Sequence, residues 1–202
     1  MAGKYFWDKE LLADKDIFRS NAQVIVCPFT CDGELESSLD KKGFRKEFPN
    51  AMLHFKHYAS LDLLRDGYSY LMHRDTDNQW FGCIILRDSL REKITEKYVV
   101  ESIRNLREDI IKSGGFYRKD YLHSVAIPKF EDKGDGLKWD RISHLIKREL
   151  KGCNFDVWLD GTIFLRNKET GINEMTGLPK KEIKTKINKK NRNQLNVKSI
   201  EL

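Results

Sequence analysis

Two short apolar runs, each closed by a proline, constrain the fold of this chain more than any other feature. Residues 23–28 read QVIVCP and residues 122–128 read LHSVAIP. Neither run shows the spacing of a helix face, so both read as strands buried on two sides. A third run of the same kind, WFGCIIL, fills residues 80–86. Between these runs, residues 95–112 place Val99, Ile103, Leu106 and Ile110 at the spacing of an amphipathic helix, which Gly114 and Gly115 are expected to stop. Trp139, Ile142, Leu145, Ile146 and Leu150 repeat the pattern up to Gly152, which predicts a second helix. Beyond it, FDVWL and TIFL flank Asp160 and Gly161, a dipeptide that favours the two-residue turn of a β-hairpin.

Strands that alternate with helices pair in parallel, because each parallel pairing needs a crossover. The expected fold is therefore α/β, with a mostly parallel twisted sheet between helices on both faces and a β-hairpin near its end. Residues 23–27 and 122–127 belong in the interior of that sheet. Ligands of such sheets bind outside the carboxyl ends of the strands, which directs attention to the loops at 28–41 and 128–139. A chain of 202 residues, 40% of them hydrophobic, fills one core.

We assign the body to residues 1–167 and a basic, weakly ordered extension to residues 168–202. The segment from Arg166 to the end holds ten Lys/Arg and four Asp/Glu, a surplus of six that equals the net charge of the whole chain. The rest is formally neutral. The extension has scattered apolar residues and no periodic apolar face, so its removal is expected to leave a folded body. Lys180, Lys181, Lys184, Lys186, Lys189, Lys190 and Arg192 are its candidate contacts to a nucleic acid. It carries no Phe, Tyr or Trp on which a base could stack.

No run approaches the roughly 20 apolar residues needed to span a bilayer, and the N-terminus lacks a basic segment followed by an apolar core. A cytoplasmic protein without a membrane partner is expected. The four cysteines, Cys27, Cys31, Cys83 and Cys153, include one C-x3-C pair without a second pair or a nearby His to complete a zinc set, so all read as reduced thiols.

Three segments, taken together, resemble the macro domains, and within them the branch of ADP-ribosyl hydrolases and ADP-ribose phosphatases. Asp16, Ile17 and Phe18, followed by Val24, Ile25 and Val26, are similar to the G-D-I-F and A-D-A-I-V-N opening of that family. Residues 27–39, CPFTCDGELESSL, fall without a gap on N-P-V-N-C-x-G-V-M-G-K-G-L, and Phe48-Pro49 on the F-P that follows. Residues 127–139, IPKFEDKGDGLKW, fall on I-P-x-L-G-C-G-L-G-G-L-D-W. The resemblance spans residues 9 to 160 and implies a three-layer macro-domain-like fold. For the site it implies adenine recognition by Asp16, with Ile17 beside it as a further ligand contact. It further implies ligand contacts from Thr30, Asp32, Gly33, Glu36, Ser37 and Ser38 of the first loop, Arg87 after the third run, and Gly134, Asp135 and Gly136 of the second loop.

The departures from the family pattern concern chemistry. The family's loop glycines let backbone N–H groups approach a diphosphate. Here Glu36, Ser37 and Ser38 replace G-K-G, while Glu131, Lys133 and Asp135 stand where glycines would. Two like charges ~4 Å apart repel by about 4 kcal/mol at an effective dielectric of about 20, so ADP-ribose is expected to bind weakly. The positions from which family hydrolases draw their catalytic groups hold Thr30, Ser37 and Lys138. Asp140 and Lys41 are the remaining catalytic candidates. The expected function is a recognition module or pseudoenzyme for a nucleotide, an ADP-ribosyl group or a nucleic-acid end, without a cofactor. The alternative is a nucleic-acid-binding protein or nuclease, in which Glu131, Asp132 and Asp135 would hold Mg2+. His54 and His57 read as helix-surface residues, and His73 closes a YSYLMH run before a polar turn.

Overall fold

The computed structural model describes residues 22–35, 44–74, 79–116, 124–132, 136–159, 162–166, 170 and 173–175. Seven strands form one sheet: β1 (Val24–Thr30), β2 (Ser69–Arg74), β3 (Gln79–Arg87), β4 (Ser124–Ile127), β5 (Asp156–Leu159), β6 (Thr162–Arg166) and β7 (Asn173–Met175). Their spatial order is β2-β3-β1-β4-β5-β6-β7. Strands β3, β1, β4 and β5 run parallel, while β2 pairs antiparallel with β3, and β6 with both β5 and β7. The two runs expected in the interior, β1 and β4, are central neighbours.

Alternation along the strands sorts the core into two layers. Val24 and Val26 of β1, Ile84 and Leu86 of β3, and Val125 and Ile127 of β4 face one side. There they meet Val99, Ile103, Leu106 and Ile110 of helix α3 (Glu96–Phe116), and Ile142, Leu145 and Ile146 of helix α4 (Trp139–Leu150). Ile25, Cys27, Phe29, Phe81, Cys83 and Ile85 face the other side, against helices α1 (Phe44–Glu47) and α2 (Pro49–Ser60). Phe29, Phe44, Phe48, Phe55 and Phe81 form an aromatic cluster in this second layer, with Phe29 and Phe55 centroids 4.5 Å apart. A sheet apolar on both faces requires helices on both, and the chain supplies them.

Four local expectations change. Strand β1 does not end at Pro28 but continues to Thr30; its pairing with β4 stops at Ile25 while that with β3 continues, so Pro28 lies where only one neighbour is paired. Helix α3 runs through Gly114 and Gly115 to Phe116, because glycine lowers helix propensity by about 1 kcal/mol without removing a hydrogen-bond donor. The YSYLMH run lies in edge strand β2, so β1 and β3 are joined by two helices and an antiparallel strand rather than by a helix alone. Strand β7 falls within the segment assigned to the extension. Asn173 is buried there, receiving the Gly152 N–H on Oδ1 at 2.7 Å and donating Nδ2 to the carbonyls of Leu150 and Phe155. Apart from residue 170, the rest of that segment, including every lysine from Lys180 onward and Arg192, lies outside the described residues.

The expected hairpin is present, with Leu159 paired to Thr162 across residues 160 and 161. All four cysteines are free thiols. Among the described residues, no helix is long and apolar enough to cross a membrane.

Candidate functional site at the carboxyl edge of the sheet

The carboxyl ends of β1, β3 and β4 deliver three loops to one edge, and hydrogen bonds tie the loops together. The N–H of Cys31 donates to the Arg87 carbonyl at 3.0 Å, and that of Asp32 to the Asp88 carbonyl at 3.2 Å. Farther along the edge, Arg87 Nη1 donates to Asp132 Oδ1 at 2.7 Å and to the Glu92 carbonyl at 2.6 Å. The other Asp132 oxygen accepts the Ile94 N–H at 2.7 Å. Both partners of this ion pair are buried. Both carboxylate oxygens of Asp132 therefore have donors from the protein itself, and Arg87 is directed at Asp132.

Thr30 is buried at the end of β1, and its hydroxyl serves its own loop. It reaches the Asp32 carboxylate and the Glu34 carbonyl, and accepts the Glu34 N–H at 2.9 Å. Gly33 turns this loop at φ +77°, where a Cβ would lie 3.1 Å from both the Phe55 carbonyl oxygen and Ala59 Cβ. Backbone donors from Thr30 to Glu34 are all used within the protein: Thr30 N–H meets the Glu34 carbonyl and Gly33 N–H the Thr30 carbonyl, besides the three bonds above.

The second loop is built around Asp132. Gly136 passes so close that a Cβ would stand 2.3 Å from Asp132 Cβ. Lys138 Nζ donates to the Asp132 carbonyl at 3.1 Å, and Asp132 N–H to the Leu137 carbonyl at 3.0 Å. The Glu131 carboxylate accepts the Trp139 N–H at 3.3 Å, which puts a negative charge at the N-terminus of α4. A helix N-terminus is where an anion gains most from unpaired N–H groups and the helix dipole. Glu131 thus supplies an anionic acceptor to the N-terminus of α4 from within the protein.

Among the other candidates, Asp140 is exposed in the first turn of α4, and its carbonyl accepts the Ser143 hydroxyl. His54 and His57 are exposed on α2. Asp16, Ile17, Glu36, Ser37, Ser38, Lys41, Gly134 and Asp135 lie outside the described residues.

A trio that the sequence did not single out also sits at this edge. Cys31, Asp66 and Asp88 place their ligand atoms within 4.8 Å of one another, a set whose atoms suit a divalent cation. Cys31 Sγ donates to Asp66 Oδ1 at 3.5 Å. Burial, the hydrogen bond to Asp88 and the charge of Asp66 push the Cys31 thiol far above its ordinary range. Asp66 is raised as well, by burial first and then by the charge of Asp88. Asp88 belongs to the loop after β3, but nothing in the sequence marks Asp66 as its neighbour.

Comparison with known proteins agrees with this architecture. The macrodomain of Mycobacterium tuberculosis DarG superposes with a TM-score of 0.58 at 15% identity, over 71% of this chain and 91% of that one. The macrodomain of Thermus aquaticus DarG gives 0.58 at 16%, over 71% and 92%. Thermosipho africanus DarTG, solved in complex with ADP-ribose, gives 0.61 at 20%, over 71% of this chain and 39% of that chain. No protein-family model matches the sequence, and no curated protein matches it. The fold is that of a macrodomain.

Proposed function

We propose that this chain is a macrodomain-type recognition module that takes a nucleotide or ADP-ribosyl group at the carboxyl edge of its sheet and does not hydrolyse it. The observation that carries this reading is the use made of Thr30 and Lys138. These residues stand where the resemblance places hydrolytic side chains, and each is hydrogen-bonded inside its own loop. Thr30 is buried, and the exposed Lys138 is tied through its ammonium to the Asp132 carbonyl. One structural neighbour is a complex with ADP-ribose, which supports a ligand of that class.

Glu131 sets the expected strength of binding. Its carboxylate at the start of α4 opposes a diphosphate, so ADP-ribose binds weakly. Substitution Glu131→Gln removes the charge and keeps the acceptor, and we expect affinity to rise about tenfold, equivalent to ~1.4 kcal/mol. Calorimetric titration of both proteins, with an assay for ADP-ribose release from modified peptide and DNA, tests the reading. Tighter binding by the variant with no release by either protein supports it. Release by the unmodified protein contradicts it.

A further inference from the structure

A second charged surface lies on the outer face of α3 and α4, supported by a different set of residues. Glu149, buried between the two helices, accepts Arg104 Nε on Oε2 at 2.7 Å and Arg148 on Oε1, from Nε at 2.8 Å and Nη2 at 2.7 Å. A third guanidinium, that of Arg107, reaches the Glu149 carbonyl at 3.5 Å. Burial opposes the charge on Glu149, yet the hydrogen bonds from Arg104 and Arg148 hold its carboxyl below the usual range. The arginine side chains are themselves more than half exposed, at 60% and 52%.

Two neighbouring acids have cations of their own. Glu96 is held by Arg141 at 2.6 and 2.7 Å, and Glu108 by Lys112 at 3.3 Å. Of the four cations Arg104, Arg107, Arg148 and the exposed Lys151 that follows α4, Arg104 and Arg148 bond the Glu149 carboxylate and Arg107 its carbonyl, so with Glu149 this group carries a formal charge of +3. Glu149 orients Arg104 through Nε, so its Nη edge is available to a phosphate in a fixed position. The geometry points to a docking surface for the phosphodiester backbone of a nucleic acid on this face, separate from the carboxyl edge. Arg104 and Arg107 lie on α3, Arg148 on α4 and Lys151 just after it, which spreads the cations over more than one element, and the segment from Arg166 adds a further surplus of six positive charges to the same chain. Stacking side chains are absent from the set, so backbone charge rather than base identity is what it reads.

The test uses the full chain, duplex DNA of random sequence, and binding measured from low to moderate salt. Each neutralised phosphate contributes about 0.9 to the slope of log affinity against log salt. Substitution of Arg104 and Arg148 together by alanine should lower that slope by about 1.8, while the same pair changed to lysine should keep it. An unchanged slope in the alanine variant overturns the proposal, as does absence of salt-dependent binding by the unmodified protein. An equal loss in the lysine variant overturns it too, since the arginines would then act only by holding the helices. Preference for poly-glutamate over duplex would assign the face to an acidic protein instead.

Discussion

Asp132 joins the loops after β3 and β4 through one buried carboxylate, with Arg87 on one oxygen and the Ile94 N–H on the other. Removing one member of a buried pair leaves the other charged and unpaired, which costs about 3–5 kcal/mol. Arg87→Ala and Asp132→Asn should each lower stability by that order in chemical denaturation, and the double variant by less than the sum. Gly136→Ala should destabilise by about 1–3 kcal/mol, because Asp132 has no room to retreat from a Cβ without loosening Arg87. Cys31 offers a pH test. Its proton is held more tightly in the folded chain than in the unfolded one, since burial and the Asp88 carboxylate disfavour the thiolate. That stability is present below the ordinary thiol range and is lost as pH rises above about 9. Cys31→Ser should flatten the alkaline decline in melting temperature. Both Arg87 and Asp132 were visible in the sequence as chemistry-bearing residues, but their pairing was not, because it joins loops from different strands. Cys31 and Asp66 are 35 residues apart, and no spacing rule connects them.

At the scale of elements, runs that are apolar on both faces were legible and polar strands were not. β1, β3 and β4 announce themselves because a central strand must be apolar on both sides. β7 does not, since among the described side chains its contacts run through one buried amide, whose partners are the end of α4, the turn after it and the residue before β5. Asn173→Ala would leave the Gly152 N–H and the carbonyls of Leu150 and Phe155 without that partner. We expect a loss of about 2–4 kcal/mol from these bonds. A chain ending at residue 167 should therefore melt lower than one ending at residue 176, as followed by circular dichroism. Equal melting of the two truncations would mean that β7 adds nothing to the body. The glycine pair in α3 and the proline in β1 show why punctuation residues misled: each weakens an element, and neither forbids it where packing continues.

For the whole molecule, the fold brings the loops after β1, β3 and β4 to one edge of the sheet, and on the proposed reading the loop residues set what ligand that edge can take. The order of apolar runs carried the first of these in sequence, whereas the second depends on how Thr30, Arg87, Glu131 and Lys138 spend their hydrogen bonds, which only the folded chain reveals. The central claim is recognition without hydrolysis, and it is tested most directly by single-turnover incubation of micromolar protein with ADP-ribosylated peptide and DNA, following free ADP-ribose. The account predicts no release above the rate without protein, together with binding that tightens about tenfold in Glu131→Gln. Release by the unmodified protein that is abolished by Asp140→Ala or Lys41→Ala would contradict it, and would show a catalytic site rebuilt from neighbouring residues.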